Sequence, residues 1–259
     1  MPYVNNQGVH IHYETEGQGP PLVLQHGFTS ALGGWKQYGY VAALKDQYRL
    51  VLVDARGHGL SDKPHASEAY TPERMASDIT AVLNELHIPK ANYFGYSMGG
   101  WIGYWLAKYA PERITAYVIG GSHPYRLDPS VADAYAGLRN GMETYVANME
   151  RLAGAVLPPE RRAALLQNDP EALAAAMLSF RDRPSFEDVL PTMTVPCLLY
   201  AGTADPAHES VKRCAEALPN ASFFSVPGLA HRPTFEASAL VLPHVLPFLR
   251  SLQAVPAGR

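Results

Sequence analysis

Ala91-Asn92-Tyr93-Phe94-Gly95-Tyr96-Ser97-Met98-Gly99-Gly100-Trp101-Ile102-Gly103-Tyr104-Trp105-Leu106-Ala107 is the stretch that decides the fold. Its first six residues read as an apolar strand, Gly95–Gly99 matches G-x-S-x-G, and a helix-like apolar segment runs from Gly100 to Ala110. A strand that turns at once into a helix forces the serine into a sparsely populated backbone conformation. Neighbouring chain then passes so close that side chains two residues either way would clash, hence Gly95 and Gly99. The turn lifts the Ser97 hydroxyl above the sheet edge and aims the Met98 N–H at the reacting centre. An ordinary serine in a glycine-rich turn needs neither the strand before it nor the helix after it.

Further strand-like segments surround this one: Val9–Tyr13, Pro21–Gln25, Arg49–Asp54, Ile114–Ile119, Val195–Ala201 and Ser222–Val226. Several are continuous apolar runs, the pattern of strands buried on both faces of a parallel sheet. Helix starts lie between them. Thr71-Pro72-Glu73 offers an N-cap, a proline at the first helical position and an acid in the first turn, Asp169-Pro170-Glu171 repeats the signal, and Pro243 reads as a further helix start. The alternation predicts an α/β sheet covered by helices on both faces. From Pro124 to Pro191 it breaks, leaving helical fragments at Val131–Asn140, Met142–Ala153, Pro159–Gln167 and Pro170–Phe180. That region reads as a helical insertion. No internal repeat is present, and Ala254–Arg259 reads as a frayed tail.

The chain has 259 residues, 47% of them hydrophobic and 17% charged, with a formal net charge of −3. This composition excludes disorder, and the near-neutral balance gives no footprint for nucleic acid or an anionic membrane. Its 21 glycines and 22 prolines are not periodic, so they punctuate short elements rather than build collagen. Cys197 and Cys214 read as reduced packing residues. No apolar run is long enough to span a membrane, and Met1–Gly8 shows no secretory pattern, so a cytoplasmic, soluble chain is expected.

A serine hydroxyl needs a base. In chain order Ser, acid, His, the candidates downstream are His123, His208, His231 and His244. Only His231 stands in a turn-rich loop just after the last strand. The acid that orients it is expected at Asp205, in a loop at the C-terminal end of the penultimate strand, with Asp128 as rival and an Asp-Pro turn as the bland reading. Two N–H donors must meet the oxyanion. Met98 supplies one, and Phe28, in His26-Gly27-Phe28, the other; His26 itself reads as a brace for that loop.

Together these residues resemble the α/β-hydrolase family along essentially the whole chain. The landmarks occur in order: His26-Gly27-Phe28, Asp54-Ala55-Arg56-Gly57-His58-Gly59-Leu60-Ser61-Asp62, Gly95–Gly99, Asp205 and His231. The resemblance implies a mostly parallel eight-stranded sheet flanked by helices, with a helical cap inserted after strand 6. Residues 1–123 and 192–259 would form the core and 124–191 the cap. Gly57–Asp62 then looks like the family's tight turn, not a dinucleotide site. One departure lies after Asp205, where His208-Glu209-Ser210 occupies a stretch that often holds a proline.

The expected activity is hydrolysis of a carboxylic ester, lactone or thioester of a small molecule through an acyl-enzyme. Ser97 would be the nucleophile, His231 the base and Asp205 its orienting acid, without cofactor or metal. Gly27, Trp101, His123, Tyr145 and Met149 are candidates for the substrate pocket. Met142, Leu152, Met177 and Leu178 could join that pocket, but at helical spacing they read rather as cap core. Arginines at 126, 139, 151, 161, 162, 181 and 183 hint at an acidic substrate, although solvated helix faces explain them equally. A C–C bond hydrolase, a lyase using the same residues and a non-catalytic small-molecule receptor are the rival readings. Sequence does not choose between monomer and homodimer.

Overall fold

A computed structural model describes residues 1–127, 135–181 and 183–253. Its strands are β1 (Tyr3–Asn6), β2 (Val9–Glu16), β3 (Pro21–Gln25), β4 (Arg49–Val53), β5 (Ala91–Tyr96), β6 (Ile114–Gly120), β7 (Cys197–Gly202) and β8 (Ala221–Val226). They form one sheet in the order β1-β2-β4-β3-β5-β6-β7-β8. β2 runs antiparallel to β1 and β4, and all other pairings are parallel.

The period-2 geometry of a strand sends alternate side chains to opposite faces, and both faces of the central strands are filled. Val23, Val51, Val53 and Tyr93 join one core, while Leu22, Leu24, Leu50, Leu52, Phe94 and Tyr96 join the other. The first is covered by α3 (Pro72–Glu85), α4 (Met98–Tyr109) and α8 (His208–Ala217). The second is covered by α1 (Gly33–Gln37), α2 (Tyr40–Leu44) and α10 (Ser238–Ser251). Trp35 shows how tightly that face is filled: it is fully buried, with edge contacts to Tyr40, Phe94 and Phe235 at 4.8–5.0 Å.

Between β6 and β7 the described chain is helical: α5 (Met142–Ala153), α6 (Pro159–Leu166) and α7 (Pro170–Arg181) follow a 3-10 turn at Ala136–Asn140. Leu138, Met142, Tyr145, Val146, Leu165 and Leu173 form a small core of their own there, whereas Met177 and Phe180 of α7 pack into the main body. Both ends of this excursion meet at Pro124 and Tyr125. The Phe186 N–H donates to the Pro124 carbonyl at 2.9 Å, and Arg183 donates to the Tyr125 carbonyl at 3.2 Å while lying 4.8 Å over the Trp101 ring.

Several local expectations change. β1 has no counterpart among the segments read from sequence, because Tyr-Val-Asn-Asn is a short edge strand with little apolar pattern. Thr71 occupies an N-cap position but its hydroxyl makes no capping bond, whereas Asp169 accepts from the Glu171 and Ala172 N–H groups at 3.0 Å. Pro243 does not start a helix. It and Pro247 lie inside α10, four residues apart on its exposed side, where a missing N–H leaves the freed carbonyl to water. Asp128, residues 131–134 of the expected first insertion helix and the tail from Ala254 lie outside the described residues. Cys197 and Cys214 are buried and unbridged, and burial pushes both thiols up to about 12.

Candidate active site

At the C-terminal edge of the sheet the β5–α4 turn is as sharp as the sequence requires. Ser97 sits at φ 55°, ψ −116°, a region that costs a non-glycine residue on the order of 1–3 kcal/mol. Its N–H is tied to the Gly120 carbonyl of β6 at 2.9 Å. A Cβ on Gly95 would lie 2.3 Å from the Gly99 carbonyl oxygen, and one on Gly99 would lie 2.1 Å from that of Gln25. Both distances are impossible, so glycine at these two positions is a steric requirement of the turn.

The loops after β7 and β8 bring two more side chains to this point. His231, the first residue of α9 (His231–Glu236), has Nδ1 2.7 Å from Asp205 Oδ2 and Nε2 2.8 Å from Ser97 Oγ. A carboxylate can only accept, so Nδ1 carries the proton and Nε2 is left to accept from the serine hydroxyl. The Asp205 side chain is 2% exposed and that of His231 40%; the carboxylate is sealed while the imidazole opens to the site. The other carboxylate oxygen of Asp205 accepts the Ala207 N–H at 2.9 Å, so the Asp-Pro turn and the contact to His231 coexist in one residue. Tyr96 donates its hydroxyl to the His231 backbone carbonyl and lays its ring 5.4 Å from the imidazole. That contact fixes the backbone carrying His231, and no sequence pattern marks it.

The loop after β3 stands opposite Ser97. His26, wholly buried, donates from Nδ1 to the Gly27 carbonyl at 2.8 Å and accepts the Ala55 N–H on Nε2 at 3.1 Å. Burial pushes its pKa below the ordinary imidazole value, although Asp54 and the Gly27 bond pull the other way. The neutral ring thereby ties the β3 loop to the β4 loop. His58, 5.4 Å from it, donates to the Arg56 carbonyl and is pushed down to about 3 by burial and by His26. Among the described residues the Phe28 and Met98 N–H groups donate to no other protein group. They are free to meet a developing charge. Thr29, next in the loop, is held at φ 61°, unusual for a β-branched residue.

Ser97 and His231 line a cavity of about 140 Å³. Gly27, Tyr145 and Met149 line it as expected, and so do Phe28, Thr29, Tyr135, Leu157, Arg161, Leu165, Arg232 and Phe235. Trp101 and His123 do not line it. The Trp101 ring is taken up by Phe180 and Arg183. His123 packs against Tyr125, its pKa pushed down to about 4 by burial and then by Arg183 and Arg213. Of the other pocket candidates, Met142 and Met177 are buried in cores, and the Leu152 side chain lies outside the described residues. His244 stacks on Phe224 at 4.1 Å, away from this site. No group of three or more His, Cys, Asp and Glu side chains among the described residues could hold a metal ion. No described helix is long and apolar enough to cross a membrane.

Residues 20–234 match the alpha/beta hydrolase fold family, and the chain belongs to it. Among its relatives, 3-oxoadipate enol-lactonase 1 of Acinetobacter baylyi (strain ATCC 33305 / BD413 / ADP1) is 30% identical over 213 residues, 78% of each chain. A Bacillus subtilis (strain 168) protein provisionally named 2-succinyl-6-hydroxy-2,4-cyclohexadiene-1-carboxylate synthase is 27% identical over 269 residues, 93% of this chain and 96% of its own. The enol-lactonase from Burkholderia xenovorans LB400 superposes with a TM-score of 0.84 at 25% identity, covering 96% of this chain and 100% of the other.

Proposed function

We propose that this protein hydrolyses a carboxylic ester or lactone of a small molecule through an acyl-enzyme on Ser97. The observation that carries the reading is the hydrogen-bonded row Ser97–His231–Asp205, 2.8 and 2.7 Å, set on a strained turn that opens into a cavity. Ser97 Oγ attacks the carbonyl carbon as its proton passes to His231 Nε2, and Asp205 holds the imidazolium that forms. The N–H groups of Phe28 and Met98 receive the oxyanion. Collapse breaks the C–O bond, and the leaving alkoxide takes the proton from His231. Water, deprotonated by His231, then attacks the acyl carbon; the tetrahedral species expels Ser97, which recovers its proton. The helices between β6 and β7 act as the cap that selects substrate, since α5 and α6 supply Tyr145, Met149, Arg161 and Leu165 to the wall. Kinship with enol-lactonases supports the ester and lactone choice.

Turnover of 4-nitrophenyl esters of graded acyl length, measured beside a lactone panel, tests this reading. Ser97→Ala is expected to lower kcat/KM by at least about 10⁴-fold, and a fluorophosphonate to label Ser97 alone. Full activity in Ser97→Ala, or no labelling, overturns the proposal. A lyase that works by elimination with the same three residues is the second reading, and the relative matched over 93% of this chain is named a synthase rather than a hydrolase. Hydrolysis in isotopically labelled water places labelled oxygen in the acid product; elimination leaves it unlabelled.

A further inference from the structure

The wall of the catalytic cavity carries two guanidinium groups, Arg161 and Arg232, and among the described residues no carboxylate. Arg161 comes from α6 in the cap and Arg232 follows His231 in α9. Both also line a neighbouring cavity of about 550 Å³, so they stand where the two spaces adjoin. Arg232 is already matched: its Nε lies 2.6 Å from Glu236 Oε1, and that same oxygen accepts the Tyr38 hydroxyl at 3.1 Å. Arg161 is not. No carboxylate among the described residues lies within ion-pair distance of it, and its Nε is shut off from solvent without an acceptor. Arg232 repels it, and Glu236, engaged by Arg232, attracts it only at longer range. A fork of donors, partly desolvated and facing a like charge, is in deficit by one acceptor and one negative charge. A carboxylate supplies both at once, because its two oxygens match the guanidinium fork.

We infer that Arg161, supported by Arg232, is a carboxylate-binding subsite, so that the substrate opened at Ser97 carries a free carboxylate of its own. The inference rests on the ester- or lactone-hydrolase reading and narrows it to the monoesters and lactones of short dicarboxylic acids. Ser97 and Arg161 line the same cavity of only about 140 Å³, so the chain between the scissile carbonyl and the carboxylate is short. Arg161 binds rather than reacts, and its effect belongs mainly in KM.

The test compares 4-nitrophenyl hydrogen glutarate with 4-nitrophenyl pentanoate, which share a five-carbon acyl chain and differ in the terminal carboxylate. Wild-type protein is expected to favour the glutarate monoester in kcat/KM by at least about 10-fold. In Arg161→Gln that ratio should fall about 30- to 100-fold, with Arg161→Lys between, since lysine keeps the charge but loses the fork. A wild-type preference for pentanoate, or an unchanged ratio in Arg161→Gln, overturns the subsite. Glutarate itself gives a readout independent of ester chemistry: it should raise the melting temperature of wild-type protein and slow phosphonate labelling, and do neither to Arg161→Gln. Stabilisation by glutarate that depends on Arg161, without turnover of either ester, would leave the subsite standing and remove the hydrolase reading. Equal turnover of both esters with no glutarate effect would do the reverse.

Discussion

At the scale of single residues, burial sets the charge of the imidazoles around the site, and that has a price in acid. His58 is fully buried with its pKa pushed down to about 3, by burial first and His26 second, whereas an imidazole in the unfolded chain titrates near ~6.5. Between those values the unfolded chain binds a proton that the folded chain refuses. Stability is therefore complete above about pH 6.5 and is lost as pH falls toward about 3, at roughly 1.4 kcal/mol per pH unit for one such group. Urea midpoints at pH 7 and pH 5 should show the difference shrinking by about 2 kcal/mol in His58→Asn, which removes the titrating group. An unchanged difference would mean that His58 charges in the folded state. His231 and Asp205 could be found from sequence because each lies alone in a turn-rich loop at a strand end. Arg161 and Arg232 could not be singled out in this way. One of seven arginines between β6 and β7 looks like the rest until the fold sets it in the wall beside Ser97 with no acid among the described residues paired to it, and Arg232 shows only its adjacency to His231.

Among the elements, β5 and α4 were the most legible, since close approach demands glycine and glycine is visible in a sequence. Gly99→Ala should push α4 away from β3, because the new Cβ would meet the Gln25 carbonyl oxygen at 2.1 Å. A destabilisation of about 1–3 kcal/mol or more is expected by denaturant titration, together with a marked loss of phosphonate labelling at Ser97. Normal stability and labelling would show that the turn can relax. The helices of the insertion were also readable, because proline begins α6 and α7 and apolar periodicity follows. β1 was not, since an edge strand needs only backbone pairing and Tyr3–Asn6 carries half-exposed side chains. Pro243 misled for the opposite reason: a local signal for a start was overridden by Val241, Leu242, Val245 and Leu249 packing one continuous face.

Across the whole molecule, distant segments are joined by charge as well as by apolar contact. Asp78 of α3 receives the Arg56 Nε and Nη2 at 2.7 and 2.6 Å, and Asn6 at the end of β1 donates to it at 2.7 Å. Arg56 also donates to the Ala69 carbonyl at 2.6 Å. All of this is buried, and it links the sheet edge, α3 and the loop after β4. Asp78→Ala strands the guanidinium, so a loss of about 3–5 kcal/mol is expected from equilibrium unfolding. A loss below about 1 kcal/mol would mean that water reaches Arg56 and takes the place of the acid. Nothing in the sequence marks this pair, whose members are 22 residues apart, because partners in a buried ion pair are chosen by packing.

The two cysteines carry a last consequence. Thiolate is the reacting form of cysteine, and both thiols are buried and pushed up to about 12, so the folded chain should be silent toward alkylating reagents near neutral pH. Val156, 81% exposed on the connection between α5 and α6, is a natural position for an added thiol. A single dye attached there would report from the helices between β6 and β7 alone, against a native background that needs no cysteine removed.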